Sequence, residues 1–122
     1  MPVRILIVDD HEAVRRGLRS VLATQSGLQV CGEAVDGVDA VEKAKALRPN
    51  IVLMDMSMPR MDGVEATRII RKEVPESEVI VVSQNDPRVV SRQASELDAA
   101  GFVPKDDIAF ALLPLIDEVS HH

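Results

Sequence analysis

The sequence predicts an open, doubly wound α/β sandwich, and three observations carry that prediction. Short β-branched runs recur along the chain: "VRILIV" at residues 3–8, "NIVLM" at 50–54 and "EVIVVS" at 78–83. They are continuous rather than alternating, as strands buried on both faces of a parallel sheet must be. Between them the apolar period lengthens from 2 toward 3.6, so strand and helix alternate five times, which is the pattern of parallel strands joined by right-handed crossovers.

Taken in order, the first strand, residues 3–8, leads into "EAVRRGLRSVLATQ", where Val14, Leu18, Val21 and Leu22 share one face and Arg15, Arg16 and Arg19 another. A weaker strand, "LQVCGEA" at 28–34, precedes "DGVDAVEKAKALRP". There Val38, Val41, Ala44 and Leu47 form the apolar stripe, Asp36 is the cap and Pro49 the stop. After "NIVLM", the segment "GVEATRIIRKEVP" offers Val64, Thr67 and either Ile69 or Ile70 to the core, with Asp62 and Gly63 as turn and helix start. A fourth helix follows "EVIVVS": Asp86 caps it, Pro87 occupies its first turn, and Gly101 follows its last turn. The fifth strand is "GFV" at 101–103. The tail "DIAFALLPLIDEV" carries Ile108, Ala111, Leu112 and Leu115 on one stripe, but Pro114 predicts a short or kinked fifth helix.

Composition narrows the function classes. A chain of 122 residues has the length of one domain, assigned here to residues 1–120, with His121 and His122 read as the remnant of an expression tag. Hydrophobic residues make up 46% of the chain, yet only Phe102 and Phe110 are aromatic, so the core is aliphatic. A formal charge of −6 opposes direct binding to a phosphate backbone and favours a cation or a basic partner. Cys31, the only cysteine, excludes an internal disulfide and is expected as a small core residue. With no signal sequence and no apolar stretch near the ~20 residues that span a bilayer, the chain reads as cytoplasmic.

In doubly wound sheets ligands sit beyond the carboxyl ends of the strands, where the strand order reverses. Here the first strand ends at Asp9 and Asp10, the third at Asp55, the fourth at Ser83, and the fifth just before Lys105. Like charges about 4 Å apart repel by roughly 1 kcal/mol in water and about 4 kcal/mol at an effective dielectric of 20, so such a cluster calls for a cation. Oxygen donors with room for water suit Mg²⁺, with Mn²⁺ as a substitute. The chain lacks a P-loop, a Gly-x-Gly-x-x-Gly turn, a Gly-x-Ser-x-Gly elbow and a Cys/His metal cluster. What remains is a cation site, a carboxylate able to form an aspartyl-phosphate, and a hydroxyl and an ammonium suited to phosphoryl oxygens.

In order and spacing, "LIVDDHEAVRRGL", "VLMDMSMPRMDGVEATR", "VIVVS" and "AAGFVPK" resemble the receiver domain of two-component response regulators, over essentially residues 3–118. The Asp-His-Glu opening is most similar to the branch whose members often continue into a helix-turn-helix output domain. The resemblance implies a flavodoxin-like (βα)5 fold with strand order 2-1-3-4-5. It further implies that Asp55 accepts a phosphoryl group from a sensor histidine kinase, and that Mg²⁺ is held by Asp10, Asp55 and the Ser57 main-chain carbonyl, with Asp9 acting largely through water. Lys105 would pair with the phosphoryl group. Ser83 would hydrogen-bond to it and draw its loop inward, and Phe102 stands at the aromatic switch position. Ser57 and Asn85 occupy positions that tune dephosphorylation, while Gln84 replaces the small residue usual at the entrance. DNA would be reached only through an output domain outside this chain; a homodimer is left open, its helix face unspecified.

Blander roles compete for some of these residues. Asp9 or Asp10 alone would serve as a helix cap, and Glu12 as first-turn charge on the helix dipole. Met54, Met56, Met58 and Met61 read as packing rather than a sulfur metal site. A metal-dependent aspartyl-phosphate phosphatase or phosphotransferase is the alternative class. Such enzymes commonly carry a second Asp two residues after the nucleophile, where this chain has Ser57. A receiver-like docking module that is never phosphorylated would have lost the acceptor, the lysine or the acid pair, and all are present.

Overall fold

The computed structural model describes residues 2–56, 58 and 61–121. Five parallel strands, β1 (Val3–Val8), β2 (Leu28–Ala34), β3 (Ile51–Asp55), β4 (Glu78–Ser83) and β5 (Gly101–Pro104), form one sheet in the order 2-1-3-4-5. They alternate with helices α1 (Glu12–Leu22), α2 (Gly37–Leu47), α3 (Gly63–Glu73), α4 (Pro87–Glu96) and α5 (Ile108–Ser120). This is the flavodoxin-like (βα)5 sandwich that the strand pattern and the motifs predict.

The continuous apolar runs bury both faces of the sheet by alternation. Ile5, Ile7, Ile51, Leu53, Ile80 and Val82 point to one layer, where Leu18 and Leu22 of α1 and Leu112 and Ile116 of α5 cover them. Leu6, Val8, Val52, Met54, Val79 and Val81 point to the other, under Ala40 and Ala44 of α2, Ala66 and Ile70 of α3, and Val90 and Ala94 of α4. Each fully buried Ile or Leu contributes about 1.5–3 kcal/mol relative to exposure, so the sheet holds its register by its central strands.

Several helices depart from the sequence-based expectation. In α2 the buried face is Gly37, Ala40 and Ala44, while Val38 is exposed and Val41 half-buried. Small residues win because α2 lies close: a Cβ on Gly37 would stand 2.2 Å from the Met61 carbonyl oxygen. In α3, Ile70 is buried and Ile69 only partly so. Gly101 does not end α4; it opens β5, and Asp98, at φ 58°, takes the left-handed position, with the Ala99 amide donating to the Ala94 carbonyl at 2.9 Å. α5 is not short. It runs 13 residues with Pro114 inside it, after a single 3₁₀ turn at Lys105–Asp107. The ~3 kcal/mol that an interior proline costs is offset by burial of Leu112 and Ile116. Cys31 is half-buried rather than core, at the residue where the β1–β2 register shifts. Among the described residues, no helix is long and apolar enough to cross a membrane.

Candidate functional site

The sheet order reverses at β1, whose neighbours are β2 on one side and β3 on the other. The crevice beyond the carboxyl ends of β1 and β3 is therefore where a ligand is expected. Asp9 follows β1 and is 1% exposed; Asp55 is the last residue of β3 and is 3% exposed. Two carboxylates this deep need a countercharge, and Lys105, just past β5, supplies it. Its Nζ lies 3.0 Å from Asp9 Oδ2 and 3.3 Å from Asp55 Oδ1. Burial works against the ammonium, but the Asp9 hydrogen bond and the charges of Asp55 and Asp9 outweigh it, so the Lys105 pKa is raised above its ordinary 10.5. The lysine stays charged across the whole neutral range.

Asp10 stands at the open side of the crevice. The His11 ring brings it toward Asp9: Nδ1 is 3.1 Å from Asp10 Oδ1 and 3.3 Å from Asp9 Oδ1, and the His11 amide donates to Asp9 Oδ1 at 2.9 Å. One donor atom each from Asp9, Asp10 and His11 lie within 4.8 Å of one another. Asp55 joins this group through Lys105. A hard divalent cation suits carboxylate oxygens on an accessible rim, and the repulsion among them favours its entry. Glu12 turns away: Arg15 Nη2 donates to its Oε2 at 2.6 Å, and its carboxyl is held below the usual range, chiefly by a hydrogen bond from Arg19.

Ser83 ends β4, buried, one residue beyond Val82, which pairs with Asp55. Its hydroxyl accepts the Asn85 amide at 3.1 Å, so the loop after β4 is tied to the hydroxyl itself. Gln84 and Asn85 are exposed. Gln84 lines a cleft of about 390 Å³ together with Lys105, Asp106, Val14 and Gly17. Phe102, half-buried and opposite Val81 across the β4–β5 ladder, packs on the α2–α3–α4 side. Ser57 lies outside the described residues.

Three contributions to this corner are absent from the motif-based reading. Gly63 opens α3 against the back of Asp55, where a Cβ would stand 2.1 Å from the Asp55 carbonyl oxygen. Its place in the Asp-Gly turn eight residues after Asp55 is the signal that could have marked it. His11 bridges the acid pair, and Arg15 Nη1 donates to the Asp9 main-chain oxygen at 2.7 Å.

The site is thus a lysine largely enclosed between two strand-end aspartates, at the switch point of a five-stranded parallel sheet of order 2-1-3-4-5. The family model described as the response regulator receiver domain matches residues 5–114, and the chain belongs to that family. Response regulator protein VraR of Staphylococcus saprophyticus is 49% identical over 83 residues, 68% of this chain and 40% of that protein; VraR of Staphylococcus aureus is 47% identical over the same length. The chain thus spans about two fifths of the length of these relatives. Among solved structures, the response regulator domain of Thermotoga maritima CheB superposes with TM-score 0.92 at 30% identity, covering 100% of this chain and 98% of that one. A LuxR-family two-component response regulator from an Aurantimonas species gives TM-score 0.92 at 30% identity, with 100% and 88% covered. The phosphatase or phosphotransferase alternative is not favoured by these matches.

Proposed function

We propose that Asp55 is the phosphoacceptor of this receiver domain, that a sensor histidine kinase is its donor, and that Mg²⁺ is held by Asp9, Asp10, Asp55 and the Ser57 carbonyl. The observation that carries the reading is the Lys105 bridge, 3.0 Å to Asp9 and 3.3 Å to Asp55. An ammonium already seated on the acceptor's carboxylate can follow the charge onto a phosphoryl oxygen without crossing solvent.

In the transfer, the Asp55 carboxylate attacks phosphorus, the bond from phosphorus to the donor's imidazole nitrogen breaks, and the imidazole keeps the released electron pair and takes a proton. Bound Mg²⁺ would neutralise the clustered carboxylates and withdraw charge from the phosphoryl oxygens. The new group adds about −1.5 to −2 of charge. Lys105 offsets part of it, and the Ser83 hydroxyl gains a stronger acceptor. Reorienting that hydroxyl releases the Asn85 amide and shifts the loop before α4, and Phe102 adjusts at the edge of the same layer. Gln84 borders the entrance, so it screens the approach of donor and of water; Ser57 and Asn85 bear on the water's position. The domain acts as a signalling module rather than on an external substrate. In a protein of the relatives' length it would govern an output segment, with transcription as the regulated step.

Incubation with acetyl phosphate and Mg²⁺ followed by intact-mass analysis tests this. Wild type gains one acid-labile phosphoryl group, and Asp55→Asn, still folded, gains none. Labelling of the variant at the wild-type rate would exclude Asp55.

A further inference from the structure

Asp9 is anchored to the edge strand β2 on both sides of its Cα. Its amide donates to the Ala34 carbonyl at 3.1 Å. Its carbonyl accepts from Arg15 Nη1 at 2.7 Å, and the same guanidinium donates through Nε to Glu33 Oε1 at 3.0 Å and through Nη2 to Glu12 Oε2 at 2.6 Å. The Arg15 side chain is 11% exposed. Arg19 braces the frame, with Nη1 on Glu33 Oε1 at 2.6 Å and Nη2 on Glu12 Oε1 at 3.5 Å. Its pKa is raised, chiefly by the Glu33 hydrogen bond. Lys43 of α2 donates to the Glu33 main-chain carbonyl, fixing the β2 end of the clamp.

The carbonyl that Arg15 grips belongs to the peptide plane between Asp9 and Asp10. With its amide held by Ala34 and its carbonyl by Arg15, the Asp9 main chain is pinned between β2 and α1, and the Cα positions from which the Asp9 and Asp10 carboxylates project are fixed with it. A planar guanidinium with donors on three sides holds the plane against a strand and a helix at once; a single ammonium cannot reach all three acceptors. We propose that Arg15 is a positioning residue for divalent-cation binding, setting through the Asp9 carbonyl and Glu33 the separation at which Asp9 and Asp10 meet the ion. This rests on the cation reading of the acidic corner given above.

Arg15 is itself a positive charge near the site, and its two effects have opposite signs. If charge dominated, removing it would tighten cation binding and Arg15→Lys would change nothing. If positioning dominates, Arg15→Met and Arg15→Lys both weaken binding to a similar degree. Supporting partners of metal ligands are commonly worth 10–100-fold in affinity, and about tenfold is expected here. Glu33→Gln, which keeps Arg15 and weakens its anchor, should give a smaller loss in the same direction and stands in if the Arg15 variants do not fold.

The test is an Mn²⁺ titration followed by electron paramagnetic resonance on wild type, Arg15→Lys, Arg15→Met, Glu33→Gln, Asp10→Ala and Arg71→Lys. Arg71 ties loops at the opposite end of the sheet, donating to the Ser77 carbonyl at 2.6 Å, so it reports a loss of stability without a link to the ion. Amide shifts in ¹H–¹⁵N spectra of the cation-free proteins supply a second readout: Asp10 and His11 should move in Arg15→Lys and not in Arg71→Lys. Weakened Mn²⁺ binding in both Arg15 variants, with Arg71→Lys at the wild-type affinity, supports the inference. Tighter binding in Arg15→Met, unchanged binding in Arg15→Lys, or an equal loss in Arg71→Lys overturns it. Wild type failing to bind Mn²⁺, or Asp10→Ala binding as wild type does, would instead overturn the cation site on which it rests.

Discussion

The two ends of the sheet use polar groups in opposite ways. At the amino end, side chains are spent on holding loops: Arg4 Nη1 donates to the Leu47 carbonyl at 2.7 Å, the Arg4 amide to Asn50 Oδ1 at 2.8 Å, and Ser77 Oγ to the Pro49 carbonyl at 2.6 Å. These are local matches of donor to carbonyl, and they concentrate no charge of one sign. At the carboxyl end, Asp9 and Asp55 share one ammonium, Asp10 lies beside Asp9 across His11, and the backbone is packed so close that Gly63 has no room for a side chain. One end is held by paired donors and acceptors. The other carries an excess of negative charge that a divalent cation is suited to offset, which is how a stable fold keeps a reactive corner.

Substitutions at the two ends should separate stability from chemistry. The largest effect is expected from Gly63→Ala. Its new methyl would stand 2.1 Å from the Asp55 carbonyl oxygen and 2.7 Å from the Met56 Cα, so backbone must move. A loss of about 1–3 kcal/mol in urea unfolding is expected, together with slower labelling, because the acceptor strand itself shifts. Gly17 is the matching control: it is an exposed position of α1 with nothing within 4 Å of its Cβ position, so Gly17→Ala should gain about 0.5–1 kcal/mol. Equal behaviour of the two variants would remove the tight packing behind Asp55 from the account.

At the amino end, Ser77→Ala should lose about 1–2 kcal/mol by stranding the Pro49 carbonyl, with Mg²⁺ affinity and labelling rate both as in wild type. A change in either would mean that the ends are coupled. Next in size is Asp10→Ala. It should weaken Mg²⁺ strongly while the cation-free protein gains up to about 1 kcal/mol from relieved repulsion; Glu12→Ala, which removes no ligand and only one of the acceptors that hold Arg15, should cost far less Mg²⁺ affinity. Equal losses in a calorimetric titration would contradict the assignment of the rim acid. The smallest effect belongs to Gln84→Ala, which opens the cleft beside Lys105 and should speed both acetyl-phosphate labelling and phosphate release modestly. Faster release with unchanged labelling would assign Gln84 to water positioning instead of access.

What was readable in the sequence follows the same division. Continuous β-branched runs locate strands because burial on both faces leaves no polar position, and strand ends then locate Asp9, Asp55 and Lys105. The arginine clamp was not readable, since Arg15 and Glu33 meet only when α1 crosses beside β2, and charge on an amphipathic helix looks the same whether solvated or paired. The short α5 expected from Pro114 failed for a related reason: the local rule set by the lost hydrogen bond did not end the helix, because Leu112 and Ile116 pack in a way that the local sequence does not display. Val38 failed as a core residue because helix α2 approaches through Gly37, Ala40 and Ala44, and the closest approach favours small side chains over apolar ones.

The carboxyl-end account converges on one carboxylate. Borohydride reduces an acyl phosphate to the alcohol, converting a phosphorylated aspartate to homoserine. Treatment of the acetyl-phosphate-labelled protein with borohydride, followed by peptide mass mapping, therefore reads out the acceptor directly. Homoserine at position 55 alone, dependent on Mg²⁺ during labelling, is the predicted result; homoserine at Asp9 or Asp10, or labelling with no reducible acyl phosphate, would contradict it.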